Sequence, residues 1–222
     1  MKKIIALAAL AAISITASAA NLITDGNFSD ITQVGSNSWS IISQSTLTSD
    51  EGASGWRVSA APSLSGPIAG LEVRDGVDGS AQGSSTRFIE LDGNENDMIS
   101  QTLATVYGQK YAITFYVADR PDVSSSFLQT SGGYGYQISS GLETFSSTSL
   151  GSFGTSWVKE TIDFTALSSS TTFSIWAAGK SDSYGTSFDN FSAVAVPEPA
   201  SLGLFAAGLA FLGLTARRRR QQ

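Results

Sequence analysis

Residues 111–118, with the sequence YAITFYVA, decide the fold of this chain. Large apolar side chains at the odd-numbered positions alternate with smaller or more polar ones, a period typical of a β-strand that buries one face. Residues 158–164 and 173–178 repeat this alternation. No stretch between residues 21 and 196 shows a convincing period of 3.6, so we expect this part of the chain to be built from strands.

Turn-forming residues separate the candidate strands. Shorter alternating segments lie at residues 71–73, 88–91 and 99–103. Pairs such as Asp75-Gly76 and Asp92-Gly93 lie between them and favour tight turns. Many short strands joined by polar turns predict an all-β fold, an antiparallel β-sandwich. The Ser- and Gly-rich residues 124–141 and 146–156 are expected to form long loops or a weak hairpin.

Composition excludes several kinds of chemistry. The chain contains no histidine and no cysteine, which removes Ser-His-Asp and Cys-His catalysis, the common zinc sites and disulfides. Residues 21–196 carry seven basic and 18 acidic side chains, a net charge of −11. A surface this acidic repels nucleic acid, so we expect no nucleic-acid partner.

The first twenty residues have the three-part pattern of a secretory signal. Lys2 and Lys3 precede an apolar run at residues 4–15, and the small residues 17–19 offer a cleavage site. The run is too short for a permanent membrane span. We therefore predict a signal peptide at residues 1–20, followed by one domain at residues 21–196.

The C-terminal residues carry a second pattern related to export. Pro197, Glu198 and Pro199 precede the uncharged, apolar residues 200–216, which would be about 25 Å long as a helix. The hydrocarbon core of a bilayer is about 30 Å thick, so we predict a single transmembrane helix here. The tail that follows consists of Arg217, Arg218, Arg219 and Arg220. Arginines next to a span remain in the cytoplasm, so the domain is expected to face outward.

The order of these C-terminal features resembles the PEP-CTERM sorting signal, which occupies residues 197–222 here. The resemblance implies a Gram-negative bacterium that makes exopolysaccharide, and an exosortase that cuts near the motif and passes the protein outward. It also implies an intermediate anchored in the inner membrane, and a final location at the cell surface or in the extracellular matrix. A plain membrane anchor is the alternative, and it too leaves the domain outside the cytoplasm.

Four segments of the domain resemble the galactose-binding-like jelly rolls, which include many carbohydrate-binding modules. They are the opening NLITDGNF at residues 21–28, RFIELDG at 87–93, ISQTL at 99–103 and the closing FDNF at 188–191. In such jelly rolls the opening and closing segments often share a structural calcium ion. The resemblance thus implies a calcium site formed by Asp30 and Asp189, although the acid of the opening motif is shifted from its usual position. The alternative is that Asp189 caps a turn.

Aromatic and polar side chains of the domain suggest a ligand site. Aromatic rings cover the apolar face of a sugar, and polar groups bind its hydroxyls. Tyr116 and Trp176 fall on the more polar sides of their strands, Arg120 follows Tyr116, and Tyr184 lies in a Gly- and Ser-rich loop. These four residues could form a binding strip. The alternative for Tyr116 and Trp176 is packing under loops. We interpret Trp39, Trp56 and Trp157 as residues that pack in the core or at strand ends.

The sequence therefore favours an exported, non-catalytic protein that binds extracellular polysaccharide or forms part of the biofilm matrix. Two alternatives remain at this stage. One is a glycoside hydrolase that uses a carboxylate pair, with Glu90 and Glu143 or Glu160 and Asp163 as candidates. The other is a structural or adhesive matrix protein without a ligand pocket.

Overall fold

The structure is a computed structural model that describes residues 19–49, 55–62, 70–83, 85–197 and 208. Residues Ala20–Val196 form one compact unit. The other unit combines Met1–Ala19 with Pro197–Gln222 and lies almost entirely outside the described residues. Apart from residues 19, 20 and 208, the predicted signal peptide and the predicted C-terminal helix therefore lie outside the described residues. Within the described part, no helix is long and apolar enough to cross a membrane.

The described residues form eleven strands and two short helices. The strands are β1 (Ser38–Ile42), β2 (Arg57–Ala60), β3 (Leu71–Asp75), β4 (Arg87–Glu90), β5 (Asp97–Ala104), β6 (Lys110–Asp119), β7 (Gly133–Ser140), β8 (Glu143–Leu150), β9 (Val158–Thr165), β10 (Ser170–Ala177) and β11 (Thr186–Ala195). The helices are α1 (Gln44–Ser49) and α2 (Ser125–Ser131).

The strands pair into two antiparallel sheets, as the alternating pattern predicts. The six-stranded sheet has the order β1-β3-β4-β11-β6-β9, and the five-stranded sheet has the order β2-β5-β10-β7-β8. Side chains from the inner faces of both sheets form one apolar core. The expectation of an all-β, antiparallel sandwich is confirmed, and β6 and β10, predicted from their alternation, lie in different sheets.

Five aromatic rings form the centre of the core between the sheets. Phe191 of β11 contacts Phe115 of β6 and Phe173 of β10, with centroid distances of 5.3 and 6.2 Å. Trp56 and Phe28 pack on the same ring at 5.3 and 5.9 Å. The opening segment of the domain, which carries Phe28, therefore belongs to the core that holds the sheets together. Trp56, only 2% exposed, is a core residue as expected.

Backbone hydrogen bonds join the opening segment to the closing strand. The Leu22 N–H donates to the Ala193 carbonyl, and the Ala193 N–H donates to Asn21 Oδ1, both at 2.8 Å. The Phe191 N–H donates to the Gly26 carbonyl at 2.8 Å. The two ends of the domain thus meet, which is the arrangement implied by the jelly-roll resemblance.

The region that was expected to be loop or weak hairpin contains a helix and two full strands. Helix α2 is capped by Ser124, whose hydroxyl accepts a hydrogen bond from the Phe127 N–H. Strands β7 and β8 then pair over eight residues each. Every residue of β8 is exposed, so this strand lacks the buried face on which the alternation rule depends.

Candidate functional site

The four residues predicted as a ligand strip lie on three separate surfaces. Trp176 projects from the outer face of the five-stranded sheet, because its neighbours Ile175 and Ala177 point into the core. Tyr116 projects from the outer face of the six-stranded sheet, on the other side of the sandwich. Arg120 and Tyr184 lie together in loops, with the guanidinium 5.0 Å from the ring centroid. The structure therefore brings together only this last pair.

The indole of Trp176 lies directly over the backbone of Gly135, its partner on β7. A Cβ atom placed on Gly135 would be only 2.3 Å from the ring atom Cε2 and 2.4 Å from Cζ2. The side chain is partly exposed. Its Nε1 has no hydrogen-bond partner among the described residues, whereas the Nε1 of Trp157 donates to the Ser80 carbonyl. Trp176 thus combines a supported ring with an N–H that is available to a ligand.

Polar side chains surround Trp176 on the same face of the sheet. The strand registers place the outward-facing residues of neighbouring strands side by side. One row across the sheet consists of Arg57, Ser100, Ser174, Gln137 and Ser146. The next row consists of Thr102, Thr172, Ser139 and Thr144. Ser174 is itself buried, and Met98 is the direct partner of Trp176 on β5. The other residues of the two rows offer hydroxyl, amide and guanidinium groups near one aromatic ring, which is the combination that sugar hydroxyls and the apolar face of a sugar require.

The outer face of the six-stranded sheet is different, because loops cover much of it. Glu90 and Asp189 point outward from this sheet, yet both are 0% exposed. Glu90 Oε1 accepts a 2.6 Å hydrogen bond from the Gly185 N–H, and Oε2 lies 3.0 Å from Arg74 Nη2. Burial raises the pKa of the Glu90 carboxyl to about 8, and the two neighbouring arginines act in the opposite direction. The Glu90 and Asp189 carboxyl groups hold loops against the sheet, and their burial keeps them out of contact with a ligand.

Arg120 is already engaged by carboxylates on its own side of the molecule. Its Nε and Nη2 donate to the two oxygens of Asp122 at 3.0 and 2.7 Å, and Nη1 donates to the Ser183 carbonyl at 3.4 Å. The side-chain hydrogen bond from Arg120 lowers the pKa of the Asp122 carboxyl. Arg120 therefore positions the ring of Tyr184, which is 40% exposed and meets Phe127 edge-to-face at 5.5 Å.

A groove lies at another edge of the sandwich, between β7 and β8 of one sheet and β6 and β9 of the other. It has a volume of about 730 Å³. Tyr136, Phe145, Ile162 and Phe164 contribute apolar wall, and Lys110 and Asp163 supply charge. Phe145 is 47% exposed. This groove is a second place where a ligand could contact aromatic side chains.

The two residues predicted to bind calcium lie in different environments. Asp189 is buried, and its oxygens accept hydrogen bonds from the Gln82 and Asn190 N–H groups, both at 2.6 Å. Asp30 is exposed, and its N–H donates to Asp25 Oδ1 at 3.1 Å. In the described part of the chain, no group of three or more His, Cys, Asp or Glu side chains is arranged to hold a metal ion. Calcium between Asp30 and Asp189 stays a prediction.

The carboxylates considered for glycoside hydrolysis do not form facing pairs. Glu90 is buried in the six-stranded sheet, whereas Glu143 is exposed at the start of β8 in the five-stranded sheet. Glu160 and Asp163 lie three residues apart on β9, so they project from opposite faces of that strand. Glu160 forms a hydrogen bond with the side chain of Tyr134.

Sequence reasoning missed Gly135 and Gln137 as parts of the face around Trp176. Their strand, β7, lies in a segment predicted only as a long loop or a weak hairpin, and a cross-strand partner can be identified only when the register is known. A signal was nevertheless present, because Gly133 and Gly135 alternate with Tyr134 and Tyr136. Phe127 was missed for a related reason, since it lies on the unpredicted helix α2.

Comparison with known proteins confirms the C-terminal resemblance and finds solved structures similar to the domain. Residues 195–220 match the PEP-CTERM protein-sorting motif. Solved structures similar to this chain include carbohydrate-binding modules with a jelly-roll fold. TmCBM61 in complex with β-1,4-galactotriose is 15% identical, over 80% of this chain and 99% of its own, with a TM-score of 0.46. The CBM22-1 xylan-binding domain of Xyn10C from Paenibacillus barcinonensis is 11% identical, over 83% of this chain and 100% of its own, with a TM-score of 0.41.

A third similar structure, a family 16 carbohydrate-binding module, is 17% identical and covers 56% of this chain and 84% of its own, with a TM-score of 0.40. No curated protein matches the chain in sequence. The chain thus combines a fold like that of carbohydrate-binding modules with a PEP-CTERM signal, which implies an exported, surface-sorted protein and processing by an exosortase.

Proposed function

We propose that this protein binds carbohydrate at the cell surface, through the outer face of its five-stranded sheet, and has no catalytic activity. The observation that carries the proposal is the geometry of Trp176. Its ring is supported by Gly135, its Nε1 has no partner among the described residues, and rows of hydroxyl and amide groups lie beside it. A ring of this kind can stack on a sugar while the N–H and its neighbours bind hydroxyls.

The shape and charge of this face favour a polysaccharide over a small ligand. The first row crosses all five strands and the second crosses four, so several sugar units could lie along the sheet. Arg57 is the one charged group in these rows, at the β2 edge of the sheet. An exported protein meets such polymers in the exopolysaccharide of its own cell. We therefore extend the proposal to retention in the extracellular matrix after an intermediate stage in the inner membrane.

The test compares two tryptophans on opposite sides of the sandwich. Full-length protein in detergent, with Trp176→Ala or Trp39→Ala, is assayed on a glycan array and for retention by extracted exopolysaccharide. Trp39 is the matched control, because it is 52% exposed and lies on the six-stranded sheet. We expect Trp176→Ala to weaken binding about 30-fold, since an anchoring aromatic contributes about 2 kcal/mol or more. Trp39→Ala should bind normally.

A third variant, Phe145→Ala, tests the groove between β8 and β9. Loss of binding in Phe145→Ala but not in Trp176→Ala would place the ligand in the groove and contradict the proposed surface. Turnover of an oligosaccharide panel would contradict a non-catalytic role. Absence of binding by the unmodified protein to all glycans and to exopolysaccharide would favour a structural matrix protein.

A further inference from the structure

Three side chains at one end of the sandwich carry buried oxygen atoms that receive no hydrogen bond. Asp92 and Asn96 lie between β4 and β5, where they pair with each other in an isolated antiparallel bridge. They are 0% and 3% exposed. Asp182 lies in the loop of residues 178–185 between β10 and β11. This cluster is separate from the Asp30 and Asp189 pair discussed above.

Hydrogen bonds tie the turn and the loop to each other. The Asp182 N–H donates to Asp92 Oδ2 at 3.1 Å. The Asn96 N–H donates to Ser181 Oγ at 3.1 Å, and Asn96 Nδ2 donates to the Gly179 carbonyl at 2.7 Å. Asp92, Asn96 and Asp182 are therefore held next to one another in the fold.

These bonds leave one oxygen of each side chain unused. Asp92 Oδ1, Asn96 Oδ1 and Asp182 Oδ1 are all shielded from solvent and accept no hydrogen bond. The other oxygen of Asp182 accepts from Ser131 Oγ at 2.8 Å and lies 3.4 Å from Lys180 Nζ. Burial raises the pKa of the Asp92 carboxyl, and backbone N–H groups offset this only in part. Buried acceptors are rarely left without a partner, so three on side chains that are tied together by hydrogen bonds are candidate ligands for a cation.

We propose that Asp92, Asn96 and Asp182 bind a calcium ion that fastens the 178–185 loop to the turn between β4 and β5. Two carboxylates and an amide provide the hard oxygen ligands that calcium prefers, and water or backbone carbonyls can complete six to eight ligands. Magnesium fits less well, because it demands a strict octahedron and keeps most of its water. The two carboxylates exceed the single positive charge of Lys180, so the net local charge favours a divalent cation.

The site has a consequence for the neighbouring surface. The 178–185 loop follows directly after Trp176 and Ala177 of β10, and it carries Tyr184. An ion that fixes this loop would also hold the end of β10. The calcium site does not depend on the proposed carbohydrate binding, because it rests on different residues and is measured without a glycan.

Thermal unfolding of the full-length chain in detergent tests the site. After treatment with a chelator, calcium chloride is titrated and the rise in Tm is followed, with magnesium chloride in parallel. Asp92→Asn and Asp182→Asn each remove one charge with little change in size, and Asp30→Asn and Asp189→Asn are the controls. We expect calcium to raise the Tm of the unmodified chain more than magnesium does. The calcium concentration for half of the shift should increase at least about tenfold in Asp92→Asn and Asp182→Asn, and stay unchanged in Asp30→Asn.

Two results would overturn the proposal. A Tm that does not respond to calcium would show that the three oxygens are satisfied by water. A calcium response that survives in Asp182→Asn but disappears in Asp30→Asn or Asp189→Asn would assign the ion to the two ends of the domain. Because Asp182 is 16% exposed, its variant remains informative if Asp92→Asn does not fold.

Discussion

Gly26 allows the backbone of the opening segment to lie directly against β11. Its carbonyl accepts the Phe191 N–H, and the two backbones approach so closely that a Cβ atom on Gly26 would lie 2.0 Å from the Phe191 carbonyl oxygen. Only glycine permits this contact. Phe191 in turn contacts Phe28, Phe115 and other rings of the core.

Gly26→Ala should therefore destabilise the domain by about 1–3 kcal/mol, because the added methyl group forces the opening segment away from β11. Gly35→Ala is the matched control, since its added Cβ would meet nothing closer than 3.9 Å. The control should change stability by less than about 0.5 kcal/mol. Denaturant unfolding of both variants measures the difference, and equal stability would contradict the steric argument.

Gly135 shapes the proposed ligand surface, because the absence of a side chain lets the Trp176 indole lie against the sheet. In Gly135→Ala the new methyl group would overlap the indole of Trp176, which must then turn away from the sheet. Trp176 lies on the outer face, so core packing is preserved and we expect a small loss of stability. Binding to exopolysaccharide should fall about as far as in Trp176→Ala. Normal binding by Gly135→Ala would mean that the orientation of the ring is irrelevant.

Asp189 should make stability depend on pH. Burial raises the pKa of its carboxyl to about 7 in the folded protein, above the value of about 3.9 in an unfolded chain. The folded state therefore holds the proton more tightly, and the stabilisation is complete below about pH 4 and is lost as the pH rises towards 7. The loss is on the order of 4 kcal/mol.

Asp25 and Glu90 have pKa values raised in the same direction, so the contribution of Asp189 must be isolated as a difference. The free energy of unfolding is measured from pH 4 to 7 in chelator, for the unmodified chain and for Asp189→Asn. We expect the variant to show the shallower decline. Parallel curves would contradict a raised pKa at Asp189.

At the scale of the elements, the sequence predicts the strands that bury one face and misses the strands that do not. β6 and β10 alternate strictly because their inward residues fill the core. β8 is exposed along its whole length and consists mainly of Ser and Thr, so it shows no apolar period. It is held by its pairing with β7 in a hairpin, and a strand with no buried face has no apolar alternation by which it could be recognised.

The candidate site was predicted only in part, because it depends on how the strands pair. Alternation correctly puts Tyr116 and Trp176 on the outward sides of their strands, but it cannot say which sheet each strand joins. β6 pairs with β11 and β9, and β10 pairs with β5 and β7, so the two rings project from opposite sides of the sandwich. The burial of Glu90 and Asp189 was also beyond the sequence, because it depends on loops that cover the outer face of one sheet.

At the scale of the whole molecule, a bound ion would join parts of the chain that are distant in sequence. If calcium links Asp30 and Asp189, it should stabilise the folded state by about 2.7 kcal/mol at 100 times its dissociation constant. In an Asp182→Asn background, which weakens the other proposed calcium site, Asp189→Asn should then abolish the calcium-dependent rise in Tm that remains, whereas Asp122→Asn, which removes an exposed carboxylate elsewhere, should retain it. An unchanged response in Asp189→Asn would exclude the shared ion at this position.

The match of residues 195–220 to the PEP-CTERM protein-sorting motif implies that the whole molecule is exported and sorted to the surface. We expect its parts to serve different steps: Pro197, Glu198 and Pro199 would provide the recognition motif, and the four arginines would retain the tail in the cytoplasm. Replacing residues 217–220 by alanine should weaken the orientation of the segment, and replacing residues 197–199 by alanine should block cleavage. Substitution of Gln221 and Gln222 by alanine is the matched control, because it alters the same tail without removing charge.

Processing and location are read from the mass of the mature protein and from cell fractionation. We expect the control to be cleaved and released to the cell surface like the unmodified protein. The variant at residues 197–199 should accumulate in the membrane at its larger mass, since the exosortase no longer recognises it. The variant at residues 217–220 should show reduced release, because the positive charges no longer stop the apolar segment in the bilayer. If both variants reached the surface with the mature mass and distribution of the control, the motif would have no sorting role in this protein.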